Sequence, residues 1–490
     1  MRGKKLVSLT VMILALILIY SCGPDGEAPD INVTGAPVAE AEPEPELSDN
    51  LPDRDFGGYN FRIYLGENRY ECMFVEELIG EIVNDAVFQR NRAVEERFNI
   101  TISTVLHPEE WHRGMDGANA IRAGDDAFDL MLTHGRIAYQ FAQQGLVIDW
   151  ISSMPYVDLS QVWWNQDVLN DSTMFGMVFC VAGDISYRGL SATFCKIFNK
   201  ELFQDLGIDF PYESVLDGTW TLDKFASILR MGAADLDGDG MMTPENDRFG
   251  LEIGNVWGFP TSILYIGGDR VIARNDDGMP VLALFNERTV SIFDTLFDML
   301  ETPGSALVGG INNPVWGNPN HLPIFRQGRA LFIHTGMGAI EDLRDMDDEI
   351  GIVPTPKFDE NTPRFFSLVE AYGGLLTVPV TVSDFERTSI ITEALAAGGH
   401  KIVIPAYFEM ALKTKYARDY ESEEMLDIIR ASAIYDFGYL NHVLAGDPLS
   451  SIGAHLVSTN NRGFATVFER NVDAAQRNID RFIEDMAARY

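Results

Sequence analysis

Apolar and polar positions follow two alternating periods along the first third of the chain. Residues 61–65 form a short apolar run of strand composition. Residues 84–98 place Ala86, Val87, Ala93, Val94 and Phe98 on one helical side, and residues 100–106 alternate Ile, Ile and Val with Thr and Ser. A helix over 109–123, a buried strand over 128–132 and a helix over 137–144 continue the series. Strands alternating with helices predict a parallel sheet covered on both faces. Two more apolar runs, 177–182 and 192–198, flank a polar turn over 183–189 and read as strands. One βα series precedes this stretch and another follows, so residues 174–200 predict a crossover between two lobes, with a ligand cleft at the turn. A hairpin inside one large domain is the alternative. Further on, the pattern predicts helices over 201–206, 221–231, 289–299 and 322–328, and strands over 249–253 and 330–333. A return crossover over 350–356 and 368–378 follows, then helices over 388–397, 406–419, 422–431 and 471–488.

Candidate chemistry sits where this pattern breaks. In parallel sheets ligands bind beyond the carboxyl ends of the strands. His134 and Arg136, directly after the 128–132 strand, are therefore candidate contacts, with capping and surface roles as the alternative. On the 183–189 turn, the Asp184 carboxylate can accept hydrogen bonds from hydroxyls, and the Tyr187 ring can stack. Trp220 and Trp257 offer flat π-surfaces on which a ligand ring could stack, against the alternative of core packing. Asp235, Asp237 and Asp239 lie at alternate positions with Gly240 sixth, the front half of a calcium loop. Met241 would supply the seventh-position carbonyl. Asn246 holds the twelfth position, and Asp247 follows one residue later. A structural calcium ion held by Asp235, Asp237, Asp239, Met241 and Asp247 is one reading, a solvated acidic turn the other, and no other cofactor is expected.

Charge and termini narrow the classes. The 490-residue chain is long enough for two or three domains. It carries 37 Lys+Arg against 73 Asp+Glu, a formal net charge of −36, which argues against nucleic-acid partners. Arg2, Lys4 and Lys5 precede an apolar run over 6–20 that ends at Ser21 and Cys22. This reads as a secretory signal, residues 1–21, and resembles the bacterial lipobox, with a lipid on Cys22 and Tyr20 departing from the usual residue. Residues 22–50, rich in Pro and acids and lacking Lys and Arg, form a tether. Of the other cysteines, Cys72, Cys180 and Cys195, an odd number leaves at least one unpaired; Cys180 and Cys195 could face each other. The sequence holds no phosphate-cradling loop, nucleophile elbow or zincin motif.

Residues 127–150, AFDLMLTHGRIAYQFAQQGLVIDW, together with 152–166, 174–186 and 197–225, resemble bacterial extracellular solute-binding proteins of the maltose-binding-protein-like sugar-binding group. The resemblance implies an α/β, two-lobed periplasmic-binding-protein-like fold of type II, with lobes joined by crossovers around a cleft. Lobe 1 would take 51–183 plus about 366–405, and lobe 2 184–365 plus about 406–490. It also implies a contact loop after the 330–333 strand, carrying over His334, Thr335 and Met337, the last in place of the family's aromatic residue. The expected function is capture of a small solute, a sugar or oligosaccharide, by a monomer without catalysis. The expected partners are the permease subunits of an ABC importer and the membrane, reached through Cys22 on its extracellular or periplasmic side. A secreted glycoside-processing enzyme, needing two carboxylates, or a surface lectin or sensor without transport is the alternative.

Overall fold

A computed structural model of the chain describes residues 48–66, 71–107, 115–254, 256–309, 323–343, 345–413 and 420–489. The expected signal, Cys22 and nearly all of the tether lie outside the described residues. Nine strands carry the argument: β1 (Tyr59–Gly66), β2 (Ile100–His107), β3 (Leu130–Thr133), β4 (Phe194–Asn199), β5 (Phe249–Ile253), β6 (Ala306–Val308), β7 (Ala330–Gly336), β8 (Ile350–Pro354) and β9 (Leu375–Thr377). They form two sheets, of order β9-β3-β1-β2 and β8-β4-β7-β5-β6.

The first sheet grows from local sequence. The helix Ile82–Phe98 buries Val83, Ala86, Val87, Val94 and Phe98, the side that its spacing predicts, and stops at Asn99. Asn99 takes a left-handed φ of 49°, a conformation that Asn tolerates better than most residues, and the chain turns straight into β2. β2 and β3 lie parallel on either side of β1, with Tyr64 opposite Val105 and Met131. The sheet is mixed rather than wholly parallel, because β9 adds an antiparallel edge to β3. In the second sheet β5, β6 and β7 are parallel, while β4 runs antiparallel to both β7 and β8.

The stretch 174–200 does cross from one sheet to the other, but not as a hairpin. Val181 pairs with Leu376 of β9 through two backbone bonds of 3.1 and 2.8 Å, and the Trp150 amide donates to Val178 O. Residues 177–182 thus extend the edge of the first sheet. The chain then passes through a short helix, Arg188–Ser191, and enters the second sheet as β4. The return from β8 to β9 lies against the outgoing segment: Thr193 pairs with Val369, and the Glu370 amide donates to Ala192 O at 3.1 Å. Cys180 and Cys195 end up on different sheets as buried thiols without a disulfide.

One buried acid ties the helix Phe385–Gly398 to the loop before the crossing. Glu393 is fully buried, and its two oxygens accept the indole N–H groups of Trp163 (3.0 Å) and Trp164 (2.9 Å). Burial dominates over these two bonds and pushes its carboxyl up to about 7. The folded state therefore keeps a proton that the unfolded chain releases. Stability from this group is present below the ordinary glutamate range and is lost as pH rises through about 7, on the order of 3 kcal/mol in all. Glu393→Gln removes the titration and one of the two acceptors. Melting temperatures measured from pH 5 to pH 8 should show the variant least stable, relative to wild type, at pH 5, with the gap narrowing towards pH 8. A gap that does not change with pH would contradict this assignment.

Candidate functional site

The segment after β3 carries the first group of candidates. His134 caps the helix Gly135–Gln143, its Nδ1 accepting the Arg136 amide at 3.2 Å, and its ring meets Tyr372 edge-on. A Cβ on Gly135 would come within 2.8 Å of the Leu440 side chain. The missing side chain lets the short helix Phe437–Leu440 approach this closely and brings Tyr439 beside Arg136. The Arg136 guanidinium lies 4.8 Å from the centre of the Tyr439 ring and 5.9 Å from that of Trp257, within cation–π range of both. Its Nη2 donates to Ser451 Oγ at 2.8 Å, while its Nε is buried and meets no acceptor, which costs about 1–3 kcal/mol.

Around this core the return crossing supplies polar groups. The Tyr439 hydroxyl donates to Glu370 Oε1 at 3.0 Å, and Glu370 Oε2 accepts the Tyr372 amide at 2.6 Å. Burial, with the Glu370 charge second, raises the Tyr439 hydroxyl above its ordinary value, so it stays protonated and donates. Trp257, in the segment after β5, is 46% exposed. Arg136 at the end of β3 and Trp257 after β5 thus meet across the two sheets, each beyond the carboxyl end of its strand. A half-exposed indole face, a cation and a part-buried hydroxyl–carboxylate pair make a surface suited to a ring that carries polar substituents.

The remaining candidates fall elsewhere. Asp184 lines a separate cavity of about 380 Å³ on the crossing segments, with Trp163, Trp164, Thr193, Gly373 and Arg430 among its walls and Arg136 and Trp257 outside them. Its Oδ2 is already bonded to His400 Nδ1 (2.6 Å) and Arg430 Nη2 (3.1 Å). Tyr187 stacks on Tyr407, with ring centres 4.9 Å apart. Trp220 is fully buried; it packs against Phe225 and Phe332 and donates its indole N–H to Pro354 O, so it is a core residue with no face for a ligand.

His334, Thr335 and Met337 are also core. The expected strand ends at 333, but β7 runs on to Gly336, with Thr335 opposite Cys195 and His334 opposite Lys196. Sheet pairing draws these side chains inside, and Met337 is 1% exposed. His334 bonds to Lys196 Nζ and Ser262 Oγ, and burial, with the neighbouring lysine second, holds its imidazole well below the usual range. Composition alone does not mark Glu370, Tyr372 and Ser451. The available signal is an acid and a Tyr just before Gly373-Gly374 in the return crossing.

In the acidic loop, one oxygen from each of Asp235, Asp237 and Asp239 lies within 4.8 Å of the others, and all three residues are exposed. Gly240 takes the φ of 83° that the tight turn needs. Asp247 stands apart from this trio. It is buried, and its oxygens accept the Leu236 and Thr243 amides at 2.9 and 2.6 Å, so it clamps the loop rather than joining the cluster. The Met241 amide donates to Asp239 Oδ1 at 2.7 Å.

No family model and no curated protein sequence matches the chain. Solved structures do. A sugar transporter protein from Rhizobium etli, in an open conformation, matches with a TM-score of 0.59 at 12% identity, over 86% of this chain and 99% of that one. The cyclic alpha-maltosyl-1,6-maltose binding protein of Arthrobacter globiformis matches at 0.58 and 14%, over 87% and 100%. The GacH receptor of Streptomyces glaucescens, solved unliganded and with acarbose, matches at 0.57 and 13%, over 86% and 99%. At this level of identity the likeness concerns architecture, and it spans the whole of each neighbour. The chain has the two-lobed α/β fold of the periplasmic-binding-protein type, the architecture of these neighbours.

Proposed function

We propose that this protein is a lipid-anchored, extracellular solute-binding protein that captures a sugar or oligosaccharide and delivers it to an ABC importer. The observation that carries the reading is the meeting of Arg136, Trp257 and Tyr439 beyond the strand ends of both sheets. A solute bound there touches both lobes, so closure about the crossing segments strengthens its contacts, and the closed form is what the permease subunits recognise. The neighbours' ligands, acarbose, cycloalternan, tagatose and a cyclic maltosyl-maltose, favour a carbohydrate. They are binding proteins, which favours capture over glycoside cleavage or a lectin without transport. Anchoring rests on the signal ending at Cys22 and the acidic tether; among the described residues no helix is long and apolar enough to cross a membrane. The reading takes the chain as a monomer.

Calorimetry against a panel of mono- and oligosaccharides should yield at least one saturable ligand, and Trp257→Ala should weaken it roughly ten-fold through loss of the stacking face. A panel without any binder, or release of cleavage products on prolonged incubation, overturns the reading.

The acidic loop we assign to a structural calcium ion, held by Asp235, Asp237 and Asp239 with the Met241 carbonyl as a further ligand and Asp247 bracing the turn. Calcium should raise the melting temperature of chelator-treated protein, and Asp237→Asn should remove that rise. Equal melting temperatures with calcium and with chelator would show a solvated turn instead.

A further inference from the structure

The solute cleft of the preceding reading holds a guanidinium whose charge the described residues leave unmet. Arg136 has one hydrogen-bonded oxygen, the Ser451 hydroxyl, and two aromatic rings. No carboxylate among the described residues pairs with it, although the chain has 73 Asp+Glu against 37 Lys+Arg. Arg387 also has buried N–H groups without an acceptor, at Nε and Nη2, but it pairs with the Asp384 carboxylate, and other guanidiniums meet oxygen. Arg62 is met by Asp126 and Asp129, Arg270 by Asp171, Arg288 by Asp269 and Arg430 by Asp184. The fully buried Arg90 directs its donors to the carbonyl oxygens of Ile185 and Met73. At Arg136 the Nε–H is buried with no acceptor at all. Glu370, the carboxylate nearest in the network, accepts from the Tyr439 hydroxyl and the Tyr372 amide instead.

A guanidinium held against ring faces keeps its N–H edge for another partner, and a planar fork of donors fits an oxyanion in a bidentate way. We infer that the captured solute is an anionic saccharide, whose carboxylate or phosphate group is taken by Arg136 while its ring lies on Trp257. This rests on the solute-capture reading and narrows it. A neutral sugar would offer hydroxyls to a donor that already has one, and would leave the positive charge without a counter-ion in the closed cleft. An acidic one supplies the missing charge, at the donors of the fork that the rings leave open. Ser451 then acts as a positioning residue, holding the guanidinium between the two rings.

The test is calorimetry of the full chain with matched pairs: galacturonate and its disaccharide against galactose and galactobiose, and glucose 6-phosphate against glucose. We expect one acidic member to bind at least about ten-fold more tightly than its neutral partner, the margin that one charge-assisted pair commonly gives. The carboxylate and phosphate arms tell the two anion sources apart. That margin should shrink between about 50 and 500 mM salt, as expected of a charge pair. Arg136→Gln should abolish the preference and Arg136→Lys should keep part of it. A neutral sugar that binds as tightly as its acidic partner overturns the inference while leaving solute capture standing. A full panel with no binder removes both. Should Arg136→Gln fail to fold, the acid-to-neutral ratio and its salt dependence in the wild-type protein still decide.

Discussion

The two crossing segments hold the architecture together. Each joins the same pair of sheets, and backbone bonds stitch them to one another: Thr193 to Val369, Ala192 to Glu370, and further along Val181 to Leu376. A single connecting strand would let the sheets swivel about many axes. Two antiparallel connections with shared hydrogen bonds brace the sheets against each other. Glu370 and Tyr372, which meet Tyr439 and His134, are on the return crossing itself, so the surroundings of Arg136 and the connection between the sheets share residues.

The electrostatics of the interior follow from the same packing. Glu393 is sealed beneath two indoles, and Lys196 is sealed between Phe259 and His334, where burial lowers its ammonium well below the usual lysine range. One is an acid raised and the other a base lowered, so both are shifted towards the uncharged form, as a low-dielectric core demands. Arg136 differs because its rings attract the cation without neutralising it. Burial thus suppresses charge at Glu393 and Lys196, while Arg136 keeps its charge between the two sheets.

Much of this was legible in the sequence because it is local. The helix Ile82–Phe98 and strands β1 to β3 follow from periodicity, and the position of Arg136 just past the end of β3 follows from the same pattern. What escaped reading depends on distant partners. Residues 177–182 have strand composition, but their partner is Leu376, nearly two hundred residues away, not the neighbouring run. His334 looked like a loop residue because the apolar run ends at Ile333. In the fold, pairing with Lys196 and Cys195 carries β7 three residues further and pulls polar side chains inside. Trp220 and Trp257 have similar local surroundings, and only the packing of Phe225 and Phe332 decides which indole is buried.

These failures share a cause, and it bears on how the site works. A polar residue at a strand end is exposed only if the neighbouring strand stops at the same level. β3 stops at Thr133 because its neighbour β9, a three-residue strand, begins opposite that residue, and the chain turns at once into a helix whose second residue is Arg136. β7 instead runs on to Gly336 because its neighbour β4 begins opposite that residue, at Phe194. Edge geometry, more than residue type, therefore selects which polar groups reach the space between the sheets. In the first sheet the antiparallel strand that caps the edge is also the end of the return crossing. The base on which Arg136 stands is therefore paired directly with the end of that crossing.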